Sequence, residues 1–248
     1  MELNNYFLSR ATIRSFSKKE ISKELLDSIV IQAAKAPTTG GMQLYSIVVN
    51  RDIDNIKKIA QFHFNQSAST GCNVMLTVCA DFNKFSKWCE ISNAVPGYDN
   101  FLSFVTALQD ATILAQQIVT IAEMNGLGTC YLGTVLYNAK EISDFLKLPS
   151  LAIPVASIAL GYPVGEGTET ERLPLDGILF DEEYPSLSNN QIKEIFSVKE
   201  EFAPNKKFVQ ENGKSSLAQV FTDIRYPKQM NETVSEKLIE LLKQKRFL

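Results

Sequence analysis

The chain has 248 residues, 45% hydrophobic and 21% charged, with a formal net charge of −3. That balance excludes extended disorder, and the length suits a core domain carrying a smaller extension. Lys and Arg are scattered without a basic stripe, so no nucleic-acid partner is expected.

The opening Met1-Glu2-Leu3-Asn4-Asn5 lacks a charged segment followed by an apolar run, and a cytoplasmic location is expected. After Ser22, a plausible N-cap, Leu25, Leu26, Ile29, Val30, Ala33 and Ala34 share one helical face, and Pro37 stops the helix. Ala36-Pro37-Thr38-Thr39-Gly40-Gly41 reads as a loop, 45–49 as a strand, 55–61 as a short helix and 74–80 as a β-branched strand. Residues 103–125 form a long helix with Val105, Leu108, Ala111, Thr112, Ala115, Val119 and Ala122 in one stripe, widened by Ala107, Leu114, Ile118 and Ile121. Gln109, Gln116, Thr120 and Glu123 mark its polar side. Gln109, Asp110, Gln116 and Gln117 interrupt it too often for a membrane span. So broad a stripe is either buried inside one domain or meets its own copy across a two-fold axis, and periodicity leaves both open.

Gly126 suits the left-handed position that ends this helix. A strand follows at 129–132. Asn138-Ala139-Lys140-Glu141 has capping-box spacing for a helix through Leu146, and 155–160 is a strand closed by Gly161-Tyr162-Pro163. Beyond Pro174 the chain turns polar, with peripheral helices expected at 191–201 and 233–245. Cys72, Cys79, Cys89 and Cys130 form no Cys-x-x-Cys pair and His63 is the only histidine, so no metal site is expected. The cysteines read as buried thiols and His63 as structural or exposed.

Arg10, Thr12 and Arg14 alternate just before the first amphipathic helix. In an extended backbone alternate side chains share one side, so the three can converge on one ligand. Guanidinium groups and a hydroxyl suit a phosphate, although the same alternation describes any solvated strand.

Taken in order, Arg10-Ala11-Thr12-Ile13-Arg14-Ser15-Phe16, Ala33-Ala34-Lys35-Ala36-Pro37-Thr38-Thr39-Gly40-Gly41-Met42-Gln43, Ala107-Leu108-Gln109-Asp110-Ala111, Gly126-Leu127-Gly128-Thr129-Cys130-Tyr131-Leu132-Gly133 and Gly161-Tyr162-Pro163 resemble the nitroreductase family. The resemblance covers 6–174, and Arg172-Leu173-Pro174 with the extension looks like the branch of NADPH nitroreductases and flavin reductases. It implies an α+β fold with a central mixed or antiparallel sheet flanked by helices. It also implies a long dimer-interface helix, an FMN-binding core over 1–174, and an extension over 175–248 packing on the homodimer.

The same resemblance implies the site. Arg10 and Thr12 match positions holding the FMN phosphate, with Ala11 between them, and Arg172 matches a basic residue reaching that phosphate. Arg14 matches the cation beside the pyrimidine edge, and Gln66 a polar contact to it. Thr38, Thr39, Gly40 and Gln43 match a loop contributed across the dimer interface, and Tyr131, Leu132 and Gly133 the segment beside the ring. Three departures stand out: the branch often has histidine at Arg10, lysine at Thr170 and a serine-rich stretch in place of Pro37-Thr38-Thr39-Gly40-Gly41.

A fixed guanidinium at Arg14 would favour the reduced flavin, whose N1 and O2 edge carries negative charge. The implied activity is two-electron transfer from NAD(P)H to a nitroaromatic, quinone or flavin by a ping-pong cycle, and no side chain is assigned as catalytic. Other readings of the same fold are dehalogenation, flavin cleavage, or flavin binding without turnover.

Overall fold

The computed structural model describes residues 3–167 and 170–248. It divides into two compact units, Met1–Thr168 with Val234–Leu248, and Glu169–Thr233.

In the first unit the helices are α1 (Leu3–Ser9), α2 (Lys23–Ala33), α3 (Ile53–Phe62), α4 (Ser67–Gly71), α5 (Asn83–Ile91), α6 (Phe101–Met124) and α7 (Ala139–Phe145). Among the described residues the strands are β1 (Tyr45–Asn50), β2 (Val74–Asp81), β3 (Gly128–Leu132) and β4 (Ala152–Gly161), in the order β1-β2-β4-β3. Every pairing is antiparallel, which decides between the two sheet types expected. β2 and β4 lie at the centre and are buried along their whole length. They read as continuous apolar runs because both faces are covered. Val74, Leu76, Val78 and Ala80 of β2 join a core with α6, while Met75 faces Ile56 and Ile59 of α3, together with Cys130 and Leu132 of β3.

α6 packs on all four strands. Its length and composition would allow it to cross a membrane, but its buried face belongs to the core. That face is Ser103, Phe104, Ala107, Asp110, Ala111, Leu114, Ala115, Ile118, Val119 and Ala122. It is rotated from the expected stripe: Thr112 is exposed and Leu108 only half-buried, while Asp110 is buried. Small residues at 107, 111, 115 and 122 let the helix axis approach the sheet, and Leu114 and Ile118 fill the spaces between them.

Ser22 caps α2 as expected, its Oγ accepting from Leu25 N at 3.1 Å. Gly126 takes φ +78 after α6. The capping box expected at Asn138 does not form; its Nδ2 instead donates to Phe62 O at 2.6 Å, tying the start of α7 to the end of α3. Cys72, Cys79, Cys89 and Cys130 are buried and free of disulfides, and burial pushes the Cys72 and Cys79 thiols up to about 12.

The second unit contains α8 (Asn189–Glu201), α9 (Ala203–Glu211) and α10 (Leu217–Val220). A capping box at Ser188 and Gln191 starts α8, and the Glu200 carboxylate accepts Leu217 N at 2.8 Å to start α10. The last helix, α11 (Lys228–Gln244), begins in this unit and continues in the first. There Leu241, Leu242 and Phe247 enter the core, and Leu151 N donates to Lys245 O at 2.8 Å.

Candidate functional site

After α1 the chain runs extended alongside the ends of β3 and β4. Ile13 N donates to Thr129 O at 3.0 Å, Ser17 N to Tyr162 O at 2.8 Å, and Val164 N to Ser15 O at 3.0 Å. Two glycines permit this approach: a Cβ on Gly128 would lie 2.7 Å from Ile13 Cβ, and one on Gly161 2.7 Å from Phe16 Cβ. Ala11 is approached in the same way, at 2.4 Å from the Cβ position of Gly167.

On this segment Arg10 and Thr12 are half-buried and Arg14 is exposed. Burial raises the Cys130 thiol while the charges of Arg14 and Arg10 oppose the rise, so both guanidinium groups act on the middle of β3. Arg10 Nη2 bonds Glu123 Oε1 at 3.2 Å. The same carboxylate accepts from Tyr6 Oη at 2.7 Å and from Thr129 Oγ1. Burial and Glu123 push Tyr6 up to about 12. Arg10 Nε is buried and has no hydrogen-bond partner. A buried donor without a partner costs roughly 1–3 kcal/mol, and an arginine cannot shed its proton to escape that cost. The arrangement fits an anion with several acceptor oxygens, as a flavin phosphate has.

The loop after α2 is shaped by Gly40 at φ +57, Gly41 at φ +71 and Gln43 at φ +54. Its fixed point is Asp110. That carboxylate is 1% exposed and accepts Thr39 N and Thr39 Oγ1 at 2.9 Å each and Leu44 N at 3.3 Å. Thr38 Oγ1 accepts Gln43 N at 3.2 Å, and Gln43 Nε2 donates to Tyr45 Oη at 3.1 Å. Pro37, Thr38 and Thr39, with Gln109, Asp110, Thr112 and Ile113 of α6, line an open cavity of ≈ 420 Å³.

Asp110 and Glu123 share α6, thirteen positions apart. At 1.5 Å per residue the loop's anchor and the anchor of Arg10 are therefore separated by about 20 Å. Within one chain the structure gathers Arg10, Ala11, Thr12 and Arg14 beside β3, and holds Thr38, Thr39, Gly40 and Gln43 away from them.

Tyr131 is half-exposed, its hydroxyl 3.4 Å from Val155 O, and Leu132 is buried. Gly133 opens a 3-10 turn (Gly133–Leu136), and a Cβ there would meet nothing within 4 Å, so its outer side is open. Gln66 is exposed and starts α4 through its carbonyl, which accepts Ser69 N at 2.8 Å. Its turn is tied to the end of β3 because His63 Nδ1 meets Thr134 Oγ1 at 2.9 Å. His63 is fully buried, and burial pushes it down to about 4, so it is a neutral structural side chain. Arg172 lies in the second unit, where Nη1 donates to Glu171 O at 3.0 Å and to the Thr170 hydroxyl.

Asp110 and Glu123 are the two site residues that periodicity misplaced, as an interruption and as part of a solvated face. Both carried a signal. Asp110 lies in an otherwise apolar stripe. Glu123 puts a negative charge in the last turn of a helix, where the macrodipole disfavours it, so something must hold it.

The family model described as "Nitroreductase family" matches residues 8–78 and 99–162. The chain belongs to the nitroreductase family. The matched stretches contain the arginine segment, the Asp110-anchored loop, α6, β3 and β4. A solved Bacteroides fragilis structure, whose own oxidoreductase assignment is provisional, is 42% identical with a TM-score of 0.96 and covers 98% of this chain and 99% of that one. The Bacillus subtilis FMN reductase (NADPH) is 27% identical over 182 residues, 71% of this chain and 72% of that protein. The Bacillus subtilis FMN reductase [NAD(P)H] is 28% identical over 181 residues, 70% of each.

Proposed function

We propose that this chain is an FMN-dependent oxidoreductase of the cytoplasm. It takes two electrons from NADPH or NADH and passes them to nitroaromatic, quinone or flavin acceptors in a ping-pong cycle, as a homodimer. The observation that carries the reading is the buried, unpartnered Nε of Arg10, in a segment where two guanidinium groups act on the same strand. The FMN reductases among the relatives support it.

When bound, FMN supplies the two-electron carrier that accepts hydride from the nicotinamide and yields it to the acceptor. The chain's own work is to bind and orient. Arg10 and Thr12, with the backbone of Ala11, would hold the phosphate, and Arg172 joins them on the resemblance alone. Arg14 would stabilise negative charge on the reduced ring edge. Gln66 would contact the pyrimidine, and Tyr131, Leu132 and Gly133 would lie beside the ring, where the open side of Gly133 allows a flat group to approach. Thr38, Thr39, Gly40 and Gln43 would serve the neighbouring subunit, a role favoured by their distance from Arg10. The division into a cofactor-binding core over 1–174 and an extension over 175–248 belongs to the same reading.

The test is direct. The purified protein is expected to be yellow, to carry FMN, to run as a dimer, and to bleach when NADPH or NADH is added without oxygen. A colourless protein that takes up no added FMN refutes the proposal. Steady-state turnover with a nitroaromatic, a quinone and free FMN then ranks the acceptors.

A further inference from the structure

Glu123 is chemically out of place unless it is used. It lies at the carboxyl end of α6, its side chain only 9% exposed, and three donors from three different segments converge on it: Tyr6 of α1, Arg10 of the extended segment and Thr129 of β3. The contact to Arg10 uses Nη2 alone and leaves Nε buried without a partner. The three donors take three of the roughly four acceptor sites of the carboxylate, and the Arg10 guanidinium offsets its charge. A guanidinium held at one corner has lost its freedom to swing, and keeps its remaining N–H groups for another acceptor.

We infer that Glu123 is the positioning residue of the anion site. It fixes Arg10 so that the donors it leaves unused meet the phosphate of the flavin, and it does so without touching the cofactor. Tyr6 and Thr129 hold Glu123 itself in place from α1 and β3. The inference rests on the function proposed above and extends it, since it assigns specificity for a phosphorylated flavin to a residue outside the binding segment.

The experiment compares FMN with riboflavin, which has the same ring and no phosphate. Dissociation constants of both are measured by fluorescence titration of the full-length protein after flavin removal, for wild type, Glu123→Ala, Glu123→Gln, Arg10→Ala and Arg10→Ala/Glu123→Ala. Glu123→Ala is expected to weaken FMN about tenfold, the scale of one hydrogen bond to a charged group, and to leave riboflavin unchanged. Glu123→Gln keeps an acceptor for Arg10 and its shape, so it is expected to stay within about threefold of wild type. In the Arg10→Ala background the Glu123 substitution is expected to do nothing further, because the group it positions is gone.

Equal weakening of FMN and riboflavin by Glu123→Ala would make Glu123 a general structural tie and overturn the inference. An unchanged or tighter FMN constant would overturn it too. Should Glu123→Ala fail to fold, Glu123→Gln and a further variant, Arg10→Ala/Glu123→Gln, carry the comparison: a Gln variant that weakens both flavins equally, or weakens FMN as much without Arg10 as with it, overturns the inference. A wild-type protein that binds neither flavin overturns the proposed function along with it, whereas a wild type that binds FMN with no dependence on Glu123 overturns the positioning role alone.

Discussion

Asp110→Ala removes the buried carboxylate that anchors the loop after α2. Three donors lose their acceptor: Thr39 N, Thr39 Oγ1 and Leu44 N. They are not equivalent. Leu44 is fully buried, so its N–H cannot find water and should cost roughly 1–3 kcal/mol. Thr39 is exposed, so its two donors rehydrate and each should cost roughly 0.5 kcal/mol, the low end for a net hydrogen bond. The expected loss is about 3 kcal/mol. In a chain of this size that lowers the melting temperature by roughly 6–12 °C. Asp110→Asn keeps one acceptor oxygen and should cost about 1 kcal/mol. Calorimetry or denaturant melts of the three proteins measure these differences, and limited proteolysis should show cleavage at 38–43 rising first in the alanine variant. An alanine variant within about 1 kcal/mol of wild type would refute the claim that the carboxylate anchors the loop.

Gly128→Ala is expected to force the Ile13 segment off β3, because the new Cβ would sit 2.7 Å from Ile13 Cβ, destabilising by about 1–3 kcal/mol and weakening FMN about tenfold. Gly133→Ala places its Cβ in open space and should leave the melting temperature nearly unchanged; equal destabilisation by both substitutions would refute the close-packing reading. His63 titrates near 4 in the folded chain against 6.5 unfolded, so between those values the unfolded state binds more protons and stability falls as pH falls. The loss should be roughly 3 kcal/mol from pH 6.5 down to 4, and a His63→Gln variant should lack that part of the slope. Identical slopes for the two proteins across this window would show that His63 is not the group responsible.

The strands and the long helix were legible because their patterns are strong. Residues 45–49 and 74–80 are β-branched and apolar runs, and 103–125 keeps a helical period over more than six turns. The elements that were not legible lack a pattern of that kind. α4 is five residues long, too short for periodicity, and α5 buries Ser86 and Cys89 while exposing Trp88 and Ile91, so its apolar residues mark the wrong face. At Asn138 the local spacing of a capping box lost to a tertiary bond with Phe62, a competition no local window contains. The arginine segment was legible as a phosphate motif only through its company. Alternation alone could not separate it from a solvated strand, and what distinguishes it is the pair of contacts at Thr129 and Glu123, more than a hundred residues away.

Asp110 and Glu123 also explain why the candidate site is divided. One rigid helix carries the anchor of the glycine loop on one turn and the anchor of Arg10 more than three turns later. Packing on all four strands holds α6, and with it the interval between the two anchors, in place. On the proposed reading, a flavin held at its phosphate by Arg10 would be covered by the loop of a second copy, since the loop of its own chain is anchored about 20 Å along α6. A two-fold axis does this twice with one surface, since whatever one chain offers its neighbour it receives in return. On that reading the two anchors set how far each chain's loop stands from its own arginine segment, and a monomer should bind FMN more weakly than the dimer in proportion to the contacts the loop supplies. Titrating FMN across a dilution series that spans the dimer dissociation constant measures that difference, and an affinity indifferent to dilution through that range would break the link between the helix spacing and the shared site.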